Sequence, residues 1–335
     1  MLVAALAADP DDWRSSCLLA RANLELGDAK NALDVARRAI ALAPEQEWPH
    51  RLASLALSGQ GKHKEALVEA RASAERAPHS WQALHTLSGC RLRTDAKSAE
   101  AWQTMTAMLA VAPDEPLALT QASRILQVRG DSEGAQRALA QAAATDPTNP
   151  EVHNTRGLLA LQGKDSVGAL QGFGSALASD PRARAAMVNF KITLYGVVRR
   201  VSVGCFIGVA FIGRAIASNS NVPIHTTGDL AAPRAASAIL GAGIFLYAAV
   251  TIGRVLLQLE PNLRAAARRV ALADVRMCIS LGTVLVASAC YISASFAPRS
   301  DLSALIGVAA VSALVGFYAN KGVRPRFMRL FSRRR

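Results

Sequence analysis

The feature that most constrains this 335-residue sequence is a set of prolines that recurs at almost constant spacing. Successive members, which we call the frame prolines, lie 34, 34, 35, 34 and 34 residues apart. They are Pro10, Pro44, Pro78, Pro113, Pro147 and Pro181. Because proline cannot continue the helix that precedes it, each one marks a connection between helices. A fixed period of this length predicts a repeat architecture.

Small residues follow the same frame, at fixed distances before the frame prolines. Alanines stand 12 residues before one at Ala32, Ala66, Ala101, Ala135 and Ala169. Glycines stand 17 residues before one at Gly27, Gly61 and Gly130, and alanines five residues before one at Ala39, Ala142 and Ala176. Small side chains allow two helices of one unit to approach closely. Since a single unit cannot bury its own apolar face, successive units are expected to stack.

The last unit is the clearest, with the sequence NPEVHNTRGLLALQGKDSVGALQGFGSALASDP and Gly157, Ala169 and Phe173 at the frame positions. This pattern resembles the tetratricopeptide repeat (TPR) family. The resemblance implies an all-α solenoid of about five repeats over residues 13–181, each repeat being two antiparallel helices of ~12–14 residues. Repeat three departs from the pattern, with Asp95 in place of the glycine and one extra residue before Ala101.

The start of the chain, LVAALAADP, resembles the core of a signal peptide. No basic residue precedes this apolar run, however, and Pro10 is in frame with the later prolines. We therefore predict that residues 1–12 form a partial repeat or N-terminal helix, and that the repeat array begins further upstream or has been cropped.

Charge separates the two halves of the chain. Residues 1–181 carry 18 Lys and Arg against 21 Asp and Glu, whereas residues 182–335 carry 20 against 4. The basic residues flank long apolar runs, which argues against a nucleic-acid-binding protein and favours membrane segments. We predict a capping or connecting helix at 182–200 and four transmembrane helices at 201–217, 235–253, 277–296 and 302–319. Buried helices of a soluble domain, or three spans, are the alternatives.

Arginine-rich and arginine-poor connections alternate along this half. Three connections are basic: the segment before the first predicted span, residues 254–276, and the tail at 320–335. The other two, 218–234 and 297–301, each hold one arginine. The positive-inside rule then places both termini and the repeats in the cytoplasm. The chain has 31 Arg against 7 Lys, and together with its richness in alanine this suggests a GC-rich bacterial genome. The expected location is therefore the plasma (inner) membrane.

The resemblance further implies that residues on the first helix of each repeat line a groove for a peptide or protein partner. Arginines there could pair with carboxylates, and Trp48 with Leu55 could bury an apolar anchor. The candidates are Arg14, Arg21, Trp48, Arg51, Leu55, His85, Arg93, Arg124 and Asn154. A solvated face is the alternative. The positions of a chaperone-tail clamp hold only one basic residue, Arg21, among Cys17, Arg21, Leu52, Gln82 and Thr86.

The membrane half offers two further sets of candidate residues. Gly204 and Gly208 form a G-x-x-x-G pattern, which we expect to pack against other helices of the same chain rather than to form a homodimer seam. Residues 261–277 form an amphipathic pattern with an apolar stripe of Leu263, Ala267 and Val270, which predicts a helix on the inner membrane surface. Anionic lipid headgroups would contact basic residues there and in the tail, namely Arg268, Arg269, Arg333, Arg334 and Arg335. RNA binding and simple topology anchoring are the alternatives.

No sequence pattern indicates catalysis. Phosphate-binding, nucleophile-elbow and metalloprotease motifs are missing from the sequence, and its five cysteines show no C-x-x-C spacing. We expect no enzyme activity, cofactor or metal, and interpret the cysteines as small buried hydrophobic residues. The predicted function is a membrane-anchored interaction scaffold. The alternative is a subunit of a membrane transport, translocation or envelope complex whose repeats regulate or assemble it.

Overall fold

A computed structural model describes residues 9, 11–219, 231–294, 296, 305 and 307–315, and every regular element in this part of the chain is helical. The helices of the repeats are α1 (Trp13–Leu26), α2 (Ala29–Leu42), α3 (Glu47–Gly59), α4 (His63–Arg76), α5 (Trp81–Asp95), α6 (Ala99–Val111), α7 (Pro116–Arg129), α8 (Ser132–Thr145), α9 (Pro150–Gln162) and α10 (Ser166–Ser179). Those that follow are α11 (Arg184–Asn219), α12 (Ala231–Gln258), α13 (Pro261–Ala273) and α14 (Val275–Ala294).

The chain divides into two compact units, Met1–Thr155 and Arg156–Arg335. In the first unit, α1–α8 form four helix pairs, and the first helix of each pair contacts the first helix of the next. A fifth helix pair, α9 with α10, follows in the sequence, and α9 contains the boundary between the two units. Five consecutive helix pairs between residues 13 and 179 confirm the all-α repeat fold implied by the TPR resemblance.

Turn residues set where the helices within a pair end and begin. Gly27, Gly61 and Gly130 have φ values of 82°, 78° and 95°, a left-handed conformation that glycine adopts without steric cost. Repeat five uses Lys164, at φ 63°, in the same place. In repeat three the helix instead continues to Asp95, and its cap, Ala96, stays right-handed. The departure predicted for repeat three is therefore a longer first helix that ends without a left-handed residue.

The in-frame small residues are the contact points between the paired helices. Ala32, Ala66, Ala101, Ala135 and Ala169 are all fully buried. The facing positions on the first helices are also small and buried, at Ala20, Ser54, Ser88, Ser123 and Gly157. Gly157 faces an aromatic ring, and a Cβ atom there would lie only 2.6 Å from the Phe173 ring.

The second unit joins the last repeat to the helices that follow it. Helix α10 packs against α11, α12 and α13, around buried Leu170, Phe173 and Phe190. Helix α11 runs for 36 residues, through both the predicted connecting helix and the first predicted span, without a break. Its side chains are described only as far as residue 208.

Two described helices are long and apolar enough to cross a membrane, at Gly241–Gln258 in α12 and Val275–Ser293 in α14. They pack closely, since a Cβ atom on Gly241 would lie 2.9 Å from the Ser288 carbonyl oxygen. The predicted span at 302–319 lies mostly outside the described residues, although 307–315 is helical. Residues 1–8 and the tail at 320–335 also lie outside them.

The sequence pattern of α13 had predicted that its apolar stripe lies on a membrane. In the structure, this stripe packs against protein instead. Ala267 is buried, and Leu263 and Val270 pack with it against the core formed around α10 and α11. Leu263 also occupies the space that a side chain on Gly174 would need. The stripe therefore covers the last repeat, which needs an apolar partner because no further repeat stacks on it.

Replacing Gly157 with Ala should loosen the last repeat. The new Cβ would lie 2.6 Å from the Phe173 ring and 3.0 Å from the Ala169 carbonyl oxygen. Overpacking of this kind costs about 1–3 kcal/mol. We expect faster amide hydrogen exchange in residues 150–179. As a control, Gly196→Ala meets no atom within 4 Å and should leave this exchange unchanged. Equal exchange in both variants would contradict the close-approach explanation.

Candidate functional site

A cleft of about 780 Å³ lies on the face formed by the first helices of repeats one to three. Helix α1 contributes Arg21, Leu24 and Glu25 to its wall, and the remaining side chains come from α3 and α5. Those are Trp48, Arg51, Leu52, Leu55, Trp81 and Gln82. Four of the predicted groove residues, Arg21, Trp48, Arg51 and Leu55, are thus brought together.

Each arginine of the cleft already has an acidic partner on its own helix. Arg21 donates to Glu25 at 3.1 Å, one turn away on α1. Arg51 donates two hydrogen bonds to Glu47, from Nε at 3.0 Å and from Nη2 at 3.2 Å. Ser73 also donates to Glu47, at 3.0 Å, and so holds the carboxylate in place. This part of the groove is therefore balanced in charge rather than basic.

Aromatic side chains give the cleft its apolar character. Trp13 and Trp48 meet edge to face with ring centroids 6.4 Å apart, and Trp81 meets His85 in the same way at 6.1 Å. Predicted Arg14 stacks on the Trp13 ring, 4.6 Å from its centroid, instead of lining the cleft. Our sequence-based prediction missed Trp81, although it stands three residues after a frame proline, as Trp13 does.

Beyond the cleft, the groove residues of repeats three and four form a partly exposed cationic region. Burial, with a smaller contribution from the positive charges of Arg124 and Arg51, lowers the pKa of His85 to about 4. His85 is therefore neutral at pH 7. Arg124 lies 3.7 Å from Glu151. Burial lowers the pKa of Arg124 and raises that of Glu151, so desolvation outweighs their mutual attraction.

The remaining predicted residues are placed differently. Arg93 lies close enough to lower the pKa of Arg124, and so belongs to the cationic region. Asn154, in contrast, is only 5% exposed and packs inside the first unit. At the clamp positions Cys17, Leu52 and Thr86 are buried as well, although Leu52 forms part of the cleft wall, and Arg21 and Gln82 are the exposed ones. The tail arginines Arg333, Arg334 and Arg335 lie outside the described residues.

In the second unit, the glycines of the first span contact this chain's own helices. A Cβ atom on Gly204 would lie 2.5 Å from the Tyr247 ring of α12, and one on Gly208 would lie 3.8 Å from Ile244. Cys17, Cys90 and Cys205 are buried as expected. The expectation is wrong for Cys278, which is exposed near the start of α14, and for Cys290, which is half-buried. Within the described residues, no three His, Cys, Asp or Glu side chains are grouped to hold a metal ion.

Comparisons with known proteins agree with this helical repeat. Residues 5–78 match the family model "Bacterial transcriptional activator domain", a TPR-like helical domain. A solved TPR protein of Thermus thermophilus is 20% identical, with a TM-score of 0.48, over 54% of this chain and 98% of that one. YrrB, a TPR protein with an unusual peptide-binding site, is 15% identical, with a TM-score of 0.38, over 56% and 96%.

PilW, a type IV pilus biogenesis factor, is 16% identical, with a TM-score of 0.44, over 56% of this chain and 86% of that one. No curated protein sequence is significantly similar to this chain.

The depressed pKa of His85 makes the stability of the repeats pH-dependent. Between about pH 6.5 and 4, the unfolded chain binds a proton at His85 that the folded chain does not, so stability falls as the pH drops. From pH 7 to 4, we expect the wild type to lose about 2–3 kcal/mol more than His85→Gln.

Urea unfolding of the full chain in detergent measures this difference, because all four tryptophans lie between residues 13 and 102 and report on the repeats. His79→Gln, in an exposed turn, is the matched control and should follow the wild type. If the free energy of unfolding falls by the same amount with pH in the wild type and in His85→Gln, then His85 is not desolvated.

Proposed function

We propose that this tetratricopeptide-repeat protein is a membrane-anchored scaffold whose groove binds a peptide segment of a partner protein. The observation that carries the proposal is the cleft on α1, α3 and α5. It combines two half-buried tryptophans, a leucine wall and two arginines in about 780 Å³. Concave, mainly apolar sites with a few polar groups are the usual form of a ligand-binding surface.

The composition of the groove supports a peptide with two distinct features. Trp48, Trp81 and Leu55 suit a buried aliphatic or aromatic anchor. An acidic side chain elsewhere in the peptide suits Arg93 and Arg124, near which Glu151 is the acidic side chain that the described residues supply. At the cleft, Glu25 and Glu47 partly neutralise Arg21 and Arg51, so these arginines would attract a peptide carboxylate less strongly than unpaired ones.

Surface exposure supports the membrane part of the proposal. Only 17% of the apolar window in α12 and 33% of that in α14 are buried within the protein. A core helix of a soluble domain would be mostly buried. Large apolar side chains such as Phe245, Leu246 and Leu285 are more than half exposed. Lipid is the environment in which such surfaces are stable.

We further propose that the membrane anchor has four spans, with both termini cytoplasmic, in the inner membrane of a bacterium. The alternation of basic and arginine-poor connections along residues 182–335 supports that topology. Anionic headgroups would then contact Arg268 and Arg269 in the middle cytoplasmic loop, as well as the three arginines that end the tail.

The polar side chains of α14 favour an anchor over a channel. Ser288 donates to the Val284 carbonyl oxygen and Thr283 to that of Ser280, so both hydroxyls bond within their own helix. Ser280 and Ser288 are also buried against neighbouring helices. We therefore propose no conducting role for the described part of the membrane half.

Selection from a phage-displayed library of random dodecapeptides tests the groove, with the detergent-solubilised full chain as bait. We expect enriched peptides to share an apolar anchor and an acidic residue. Trp48→Ala combined with Leu55→Ala should weaken binding of these peptides at least tenfold, because hot-spot truncations commonly cost about 2 kcal/mol or more. Arg124→Ala should abolish only the preference for the acidic residue.

The matched control for this selection is Trp102→Ala. Trp102 lies on α6, where Arg129 stacks over its ring at 5.0 Å, and it does not line the cleft. It should leave peptide binding unchanged. Equal binding to the wild type and to the cleft double variant would rule out the proposed groove.

Reporter fusions test the proposed topology. A phosphatase that is active only outside the cytoplasm should work when fused after His225 or Arg299. A fluorescent protein that folds only inside should work after Asn262 or Arg335. Opposite locations for Asn262 and Arg335 would mean an odd number of spans between them, and would contradict the four-span arrangement.

A further inference from the structure

Helix α13 has two faces of different chemistry, and only one is covered by protein. The face with Leu263, Ala267 and Val270 packs on the last repeat. Ala265, Arg268, Arg269 and Leu272 are spaced i, i+3, i+4 and i+7, so they share the opposite face, and all four are exposed. Leu272 is 77% exposed, which is unusual beside two arginines unless something apolar covers it.

The ends of α12 and α14, which adjoin α13 in the sequence, add further exposed apolar and basic residues. Gly241 of α12 contacts residues 288 and 292 of α14, and the two helices run in opposite directions. Counting from that contact places Leu257 level with residues 272–276, at the start of α14. Leu257 is 74% exposed and Val275 is 70% exposed. We call the exposed residues at these helix ends and on α13 the junction face: Arg254, Leu257, Arg268, Arg269, Leu272, Val275 and Arg276.

The acidic residues near the junction face do not neutralise it. Asp274 accepts hydrogen bonds from the Tyr195 hydroxyl and the Arg276 backbone N–H, and so serves to cap α14. Glu260, which precedes α13, is the other acid in this stretch of sequence. The face carries four arginines, in addition to Arg264, which donates to the Leu257 and Leu259 carbonyl oxygens.

We propose that the junction face binds the headgroups of anionic phospholipids in the inner leaflet, with Leu257, Leu272 and Val275 inserted at the acyl boundary. This inference rests on the proposed membrane anchoring and headgroup contact, and adds to them the face that is used and the aliphatic side chains that insert. Arginine beside exposed aliphatic residues is complementary to a phosphate layer above hydrocarbon. Nucleic acid would satisfy the arginines but would leave three leucine and valine side chains in water.

The arrangement fixes the height of the last repeat. Because α10 packs on one face of α13 and headgroups bind the other, one helix diameter, about 10 Å, separates α10 from the lipid phosphates. Helix α13 therefore acts as a spacer between the fifth repeat and the bilayer.

Retention of lipid by the purified full chain tests the charge component. Native mass spectrometry counts phosphatidylglycerol and phosphatidylcholine molecules that remain bound. We expect a preference for phosphatidylglycerol, weakened roughly tenfold to thirtyfold by Arg268→Ala with Arg269→Ala. The control is Arg37→Ala with Arg38→Ala, an adjacent exposed arginine pair on α2, which should retain the preference. Equal preference in both double variants would overturn the headgroup site.

Fluorescence quenching tests the insertion component in nanodiscs that contain phosphatidylglycerol brominated near the headgroup. The additional tryptophan of Leu272→Trp should be quenched, whereas that of Leu26→Trp, at a 75% exposed position on α1, should not. If Leu272→Trp is unquenched in a chain that resists carbonate extraction, the junction face is wrong although membrane anchoring holds. If carbonate extracts the wild type, membrane anchoring itself fails.

Discussion

The close approach of two helices at small residues is the contact on which the rest of the structure depends. At Ala32, Ala66 and their equivalents, the side chain is too small to hold the helices apart, so the two helices of each pair cross at the same position in every repeat. That crossing leaves an apolar face on each pair, and the next pair covers it. The first helices then contact each other in series, which brings Arg21, Trp48 and Trp81 to one cleft although they are far apart in sequence.

The groove combines two environments that recognise different chemistry. At α1 and α3, Glu25 and Glu47 occupy the arginines, so shape and apolar contact dominate. At α5 and α7, His85 is neutral and Arg124 is poorly solvated, so an incoming carboxylate would replace an unfavourable environment with a favourable one. For the proposed peptide ligand, the distance between its apolar and acidic groups would then be a stricter criterion than either group alone.

Periodicity predicted the helix pairs well, because proline and alanine act locally and each of them recurs in every repeat. It could not predict the Arg51–Glu47 pairing. Two side chains one turn apart on a helix can bond to each other, or each can face a ligand, and the period is the same in both cases. The amphipathic pattern of α13 likewise showed that one face needs an apolar cover, but not whether lipid or protein would supply it. The last repeat supplied that cover, through the space left at Gly174. Trp81 shares the frame position of Trp13, so the periodicity could have located it.

Helix α11 has a mechanical consequence. It begins five residues after the fifth repeat ends and continues for 36 residues, about 54 Å, with no loop between its polar start and its apolar remainder. A flexible linker would absorb displacement as slack, whereas a continuous helix resists stretching and bending. Tension or torque applied to the fifth repeat is therefore carried along α11 into the segment beyond it. Under the proposed membrane anchoring, a partner that pulls on this repeat would therefore displace the apolar end of α11 together with its polar start.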